Sequence, residues 1–246
     1  GQSFSTVTAI GSVAVQQFAV SNTGSVIYAA VSSGLYKSTD KGNSWSQILS
    51  ATGFLGVACS SDGSKVFAVN TFNVYYSTNS GASFSSISST TLGGKQQYIA
   101  CSSDGSKVVT AGNGNIQVSS NSCTSWTQTT IISSTAKGIV VSDGGVIYVI
   151  GNDLNQPYKS PDFGSSWSAI GLSYLTTGYS YVSICCSTDG NTVFSADTGG
   201  NIYKSINAGG SFSTTTGFYG QTKLCCSYSA SNVIVAMPVG ALQYST

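Results

Sequence analysis

The chain has 246 residues, a net charge of +1 and 41% hydrophobic content, the composition of a packed domain rather than a disordered segment. Its scattered charge excludes the basic footprint of a nucleic-acid binder and the polybasic run of a membrane-surface anchor. All nine cations are lysines, all eight anions are aspartates, and there is no histidine. Arginine forks, glutamate acid–base chemistry, His-based triads and the commonest metal ligand are therefore absent together.

The predicted elements follow one another in a fixed order. Ala19-Val20 leads into the turn Asn22-Thr23-Gly24-Ser25, and Val26-Ile27-Tyr28 leaves it as a β-branched and aromatic run. Leu35-Tyr36-Lys37 then enters the segment Ser38-Thr-Asp40-Lys-Gly42-Asn-Ser44-Trp45. The same sequence of events recurs along the chain. The first turn returns as Ser61-Asp62-Gly63-Ser64, Ser103-Asp104-Gly105-Ser106, Ser142-Asp143-Gly144-Gly145, Thr188-Asp189-Gly190-Asn191 and, weakly, Tyr228-Ser229-Ala230-Ser231. Asp-Gly between such runs is a strong hairpin signal. The second segment returns as Ser77–Phe84, Ser119–Trp126, Ser160–Trp167 and Ser205–Phe212. Its closing aromatics fall at 45, 84, 126, 167 and 212, a spacing of 39, 42, 41 and 45. Four short strands in each unit of about 40 residues predict the blades of a propeller.

The first turn occurs six times and the complete second segment five times. The sixth copy is split. Tyr244-Ser245-Thr246 matches Tyr36 to Thr39, and Gly1-Gln-Ser3-Phe4 matches Gly42 to Trp45, with the equivalents of Asp40 and Lys41 missing between them. The expected architecture is all-β: a single domain over residues 1–246, a six-bladed β-propeller with four-stranded antiparallel blades and a last blade shared between the termini. The seam would lie at Gly1, Phe4, Tyr244 and Thr246. Pairing between molecules, or a unit cut from a longer array, are the alternatives. The start at Gly1 reads as a processed or trimmed end, and no run approaches the ~20 apolar residues of a membrane helix.

Ser-x-Asp-x-Gly-x-Ser-Trp resembles the Asp-box, or BNR, repeat of sialidases, sortilin-type receptors, some xyloglucan-active glycosidases, a photosystem assembly factor and several propeller lectins. The resemblance implies a structural turn in which Ser38, Asp40, Gly42, Asp162 and Gly164 shape the backbone. It also implies that Trp45, Phe84, Trp126, Trp167 and Phe212 pack between blades. Asn replaces Asp at Asn79, Asn121 and Asn207. A sialidase of this family would need an arginine triad and a glutamate-activated tyrosine, so that activity is excluded.

Cys59, Cys101, Cys186 and Cys226 fall at one place in the repeat, where other copies carry Val20 and Val141, and read as small core residues. Cys185 and Cys225 match each other and could bridge adjacent blades if their Cα atoms came within about 7 Å. Cys123 stands in a turn. No zinc-type spacing, phosphate loop or EF-hand loop is present, so no metal or cofactor is expected.

Of the eight aspartates only Asp153 and Asp197 lie outside the two turn types. Both fall in second-to-third-strand loops, on the face where the variable interblade loops gather. Those loops carry Tyr174, Tyr179 and Tyr181, then Phe218 and Tyr219, with Phe54 and Tyr98 at related places. Aromatic faces beside fixed polar groups suit a neutral sugar. Two functions are expected from this. The first is an extracellular or cell-surface module without catalysis that associates with itself or with other proteins, its exposed Ser and Thr open to O-glycosylation. The second is a lectin using the aromatic loop face. An Asp-based glycosidase is a third alternative.

Overall fold

The computed structural model describes residues 10, 14–129, 135–151, 157–170, 180–215, 223–227, 229, 233–236 and 242–245. These residues form six antiparallel sheets. The first comprises β1 (Val15–Val20), β2 (Ile27–Val31), β3 (Gly34–Ser38) and β4 (Ser46–Leu49). The second comprises β5 (Phe54–Cys59), β6 (Val66–Asn70), β7 (Asn73–Ser77) and β8 (Ser85–Ser88). The third holds β9 (Gln96–Cys101), β10 (Val108–Gly112), β11 (Ile116–Ser119) and β12 (Thr127–Thr129). The fourth holds β13 (Ala136–Val141), β14 (Ile147–Gly151), β15 (Tyr158–Ser160) and β16 (Ser168–Ala169). In the fifth are β17 (Tyr181–Cys186), β18 (Val193–Asp197), β19 (Ile202–Ser205) and β20 (Ser213–Thr215). The sixth shows β21 (Lys223–Cys226), β22 (Val233–Ala236) and β23 (Leu242–Ser245). Strands in each sheet pair in sequence order, and the first strand of each sheet packs against the first strand of the next from β1 to β21. This is a β-propeller.

Alternation along the strands assigns one face of each sheet to each neighbour. Ala19, Tyr28, Ala30 and Leu35 meet Phe54, Val57, Val66 and Ala68 between the first and second sheets. Phe67, Val69 and Val74 meet Leu92, Ile99 and Val108. The core is thus a series of separate layers, the other three lying between the third and fourth, fourth and fifth, and fifth and sixth sheets. The remaining faces, of the first and sixth sheets, carry Phe18, Val20 and Ile234 at 52%, 53% and 42% exposure.

The two recurring turns share the end of the molecule opposite the loop face, and hydrogen bonds lock them. Asn22 N donates to Ser61 O, Ser61 N to Ser103 O, Ser103 N to Asp143 Oδ1 and Asp143 N to Thr188 O, each at 2.7 Å. This girdle runs from sheet to sheet. Within a sheet, the second turn is tied to the first: Ser80 N donates to Ser64 O at 2.7 Å and Ser122 N to Ser106 O at 2.9 Å.

The Ser-x-Asp/Asn turns have one geometry. Ser38 Oγ donates to Asp40 Oδ1 at 2.8 Å and accepts from Gly42 N at 2.8 Å, while Asp40 Oδ1 accepts from Ser44 N at 2.8 Å. Two consecutive residues take positive φ, 62° at Lys41 and 91° at Gly42. Cys123 occupies the second of these positions at φ 75° and fills it with a buried thiol against the layer of Phe67 and Ile99. Asn keeps the bonds but reverses one. Ser44 Oγ donates to Asp40 Oδ2 at 2.6 Å, whereas Asn79 Nδ2 donates to Ser83 Oγ at 2.8 Å.

The aromatics that close these turns are half-buried rather than enclosed. Phe84, Trp126, Trp167 and Phe212 each lie against the layer shared with the preceding sheet. Trp45, on the first sheet, meets Phe18 at a ring separation of 6.3 Å.

Candidate ligand site at the channel mouth

The first strands of the six sheets surround a channel of about 650 Å³, within the usual range of small-molecule sites. Its wall is built by a repeated irregularity. In the first, second, third, fourth and fifth sheets the pairing slips near the start of the inner strand, between Val15 and Gln17, Phe54 and Gly56, Gln96 and Tyr98, Ala136 and Gly138, and Tyr181 and Ser183. Gln16, Leu55, Gln97, Lys137 and Val182 are the extra residues. A β-bulge re-aims the side chain of its unpaired residue, and Gln16, Leu55, Lys137 and Val182 line the channel with Gln17, Tyr98, Ser183 and Lys223.

The electrostatics of this mouth are one-sided. Lys137 is half-buried, and Lys223 donates from Nζ to the carbonyl of Val182 at 3.1 Å. Burial, then the charge of Lys137, lower the Lys223 pKa below the ordinary lysine range. Tyr98 is pushed upward by burial and so stays a neutral phenol. No aspartate is among the lining residues.

Most of the sequence-predicted ligand residues fall outside the described residues: Asp153, Tyr174, Tyr179, Phe218 and Tyr219, and likewise Gly1, Phe4 and Thr246 of the seam. Tyr244 lies in β23, paired with Ile234. Tyr181 and Asp197 are described and both are buried. Tyr181 is 1% exposed, its ring 5.9 Å from that of Tyr203 in an edge contact. Asp197 is fully buried. Its Oδ1 accepts from Asn201 N at 2.9 Å, and its Oδ2 from Asn201 Nδ2 and Tyr203 Oη, both at 2.8 Å. A carboxylate removed from water must have its oxygens filled, and Asn201 and Tyr203 fill them, so this side chain holds a turn together. Among the described residues it is not paired with a second carboxylate for hydrolysis.

The other described aspartates are also engaged. The Ser44 hydroxyl and amide, with the Ser38 hydroxyl, hold Asp40 at about 2, and Ser60 and Ser64 do the same for Asp62. No group of three or more Cys or Asp side chains suited to a metal ion occurs among the described residues.

At the opposite end of the channel a cavity of about 300 Å³ is lined by Cys59, Cys101, Cys185, Cys186, Cys225 and Cys226. Burial pushes the Cys59 thiol up to about 12 and Cys101 well above its usual range. All seven cysteines are free. Cys185 packs against Cys226, while Cys225 is exposed, so the register sets Cys226 rather than Cys225 beside Cys185.

What sequence reasoning missed was the lysine pair. Its signal was there: Lys137 interrupts Ala136-Lys137-Gly138-Ile139, an inner strand whose equivalents carry Gln, Leu or Val.

No family model matches the chain, and no curated protein matches it. Among solved structures, the chain is similar to an ancestral GH74 enzyme with a TM-score of 0.69 and 19% identity, covering 93% of this chain and 36% of that one. It is similar also to the GH74 enzyme of Niastella koreensis with a TM-score of 0.69 and 17% identity, covering 94% of this chain and 44% of that one. The chain thus spans less than half the length of either enzyme. These neighbours correct the expectation of a chain that is not an enzyme, because the fold it shares is one on which enzymes are built. At this identity the likeness is one of architecture, and the chain takes the β-propeller fold found in GH74 enzymes.

Proposed function

We propose that the chain is a carbohydrate-handling β-propeller working outside the cell, with the saccharide held at the channel mouth on the loop face. The observation that carries this reading is the ring of bulge-delivered side chains. Gln16, Lys137 and the neighbouring Gln17, Ser183 and Lys223 bring hydrogen-bonding groups to one opening, with Tyr98 supplying an aromatic ring. Few fixed polar groups beside an apolar surface suit a sugar. The GH74 neighbours support the same class of substrate, and glycoside hydrolases as a class argue for an extracellular setting.

Hydrolysis would need two carboxylates about 5–10 Å apart facing the opening. The test is therefore a glycan array read for binding, followed by release of reducing ends from each glycan bound. Binding without release makes this a recognition module, binding with release makes it a glycosidase, and binding to no glycan overturns the reading.

In the proposed architecture residues 1–246 form one six-bladed ring. The segment after Phe4 would add the outer strand to β23, and Phe18, Val20 and Ile234 would meet across the closure. Those same exposed side chains favour a second reading, in which the two faces take another copy of the chain. Particle mass by light scattering separates them: about 25 kDa for closure, multiples of it for association.

A further inference from the structure

We propose that the Lys137–Lys223 pair at the channel mouth binds the carboxylate of an acidic saccharide, a uronic acid residue. The inference rests on the carbohydrate reading above and adds the charge of the ligand.

The argument begins with what the other lysines do. Lys37 donates to Ser80 O at 2.7 Å, Lys107 to Asp143 O at 2.8 Å, Lys159 to Ala208 O at 3.0 Å and Lys65 to Ser122 Oγ at 3.3 Å. Lys204 stands 5.6 Å over the ring of Phe194. Lys41 and Lys95 are exposed to water. Each of these ammonium groups is thus answered by an acceptor, a ring or solvent. Lys137 is different: it is half-buried, on a bulge, and has no hydrogen-bond acceptor among the described residues. Lys223, a second cation lining the same channel, feels its charge and uses one of its own N–H bonds on Val182 O.

The channel wall offers nothing to neutralise them. It contains no aspartate, and its other titratable groups are Tyr98 and the thiols of Cys59, Cys101 and Cys225, all with pKa values raised so that they stay neutral. Two like charges brought together repel each other, and Lys137, half-buried beside the exposed Lys223, also loses solvation. A bound anion reverses both effects, and an ammonium group is a point charge that takes a carboxylate through charge-assisted hydrogen bonds. The bulge is the device that places one of the two cations there. Around them stand Gln16 and Tyr98, with Gln17 and Ser183, whose oxygens already accept from Val57 N at 3.3 Å and Leu224 N at 3.0 Å and leave their donors for a ligand.

The test is calorimetric titration of the intact chain with glucuronic acid, galacturonic acid, glucose, galactose and inorganic phosphate. It is repeated on Lys137→Gln, Lys223→Gln and, as a control outside the channel, Lys95→Gln. Thermal melting establishes that each variant folds. Lys137→Gln is the decisive variant, since Lys137 has no hydrogen bond to lose among the described residues. The expected result is that the uronic acids bind at least about tenfold more tightly than the neutral sugars, a difference of about 1.4 kcal/mol. Lys137→Gln should remove that preference and Lys95→Gln should leave it. Equal binding of acidic and neutral sugars would overturn the lysine inference while leaving the carbohydrate reading standing. Binding of phosphate alone would overturn the saccharide assignment. Binding of neither sugars nor phosphate would overturn both.

Discussion

Tyr28, at the centre of the layer between the first two sheets, donates its buried hydroxyl to the carbonyl of Gly63 at 2.7 Å. Tyr148 repeats the contact to Gly190 at the same distance, between the fourth and fifth sheets. Burial raises both phenol pKa values, so both remain donors. Tyr28→Phe keeps the packing and orphans a buried carbonyl, which should lower stability by about 1–3 kcal/mol. Tyr148→Phe should match it, and the double variant should show the sum, because the pairs share no partner. Urea unfolding of the three variants reads this directly.

Acid should weaken the turns. Asp40, Asp62 and Asp104 sit at about 2 instead of 3.8, each held chiefly by serine hydroxyl and backbone donors. A depressed folded-state pKa contributes stability that is complete above the unfolded value and is lost as pH falls through the folded one. The melting temperature should therefore drop between about pH 4 and about pH 2. Asn79, Asn121 and Asn207 make the Asp40 turn without a titrating group. Asp40→Asn with Asp162→Asn, whose carboxyls are both held down by serine donors, should accordingly flatten the acid limb, and a limb as steep as the parent's would refute the assignment.

The turn tryptophans should differ in weight. Trp167 packs into the layer of Val118 and Ile139 and donates from Nε1 to Thr129 Oγ1 at 2.8 Å. Trp45 touches Phe18 and donates to Gly42 O within its own turn at 2.9 Å. Trp167→Ala should cost about 2–4 kcal/mol, below the figure for a fully enclosed tryptophan, and Trp45→Ala less. Chemical denaturation gives the order.

Thiol accessibility is a further handle on the fold. Among the seven free cysteines Cys225 is exposed and the rest are half-buried or buried. A thiol reagent should label Cys225 first in the native chain, the half-buried cysteines more slowly, and the buried Cys123 only on unfolding. Rapid native labelling of Cys123 would contradict the layer between the second and third sheets.

For ring closure the informative variant removes residues 1–4. Under the proposed architecture the shortened chain should melt at lower temperature while remaining a monomer. Unchanged melting together with a loss of association would favour contact between copies.

The sheets were legible in the sequence because their punctuation is chemical. Asp62-Gly63 and Asp104-Gly105 force the same hairpin wherever they occur, and the Ser38–Trp45 turn marks where each third strand ends. The site was less legible. Asp197 reads as a loop carboxylate until Asn201 and Tyr203 are seen to close over it, a contact that depends on register. Lys137 reads as a stray charge because a bulge leaves no residue-type signature of its own. It is a slip in pairing between Ala136 and Gly138, visible only once the partner strand is in place.

The ties between sheets have a final consequence. Lys37, Lys107, Lys159 and Lys223 cross from one sheet to the next and end on main-chain carbonyls at 2.7–3.1 Å, not on carboxylates. Counterions weaken attraction between separated exposed charges over a Debye length of about 8–10 Å, and they do little to a cation seated on a neighbouring dipole. These four ties between neighbouring sheets should therefore weaken less than ion pairs would as salt is raised.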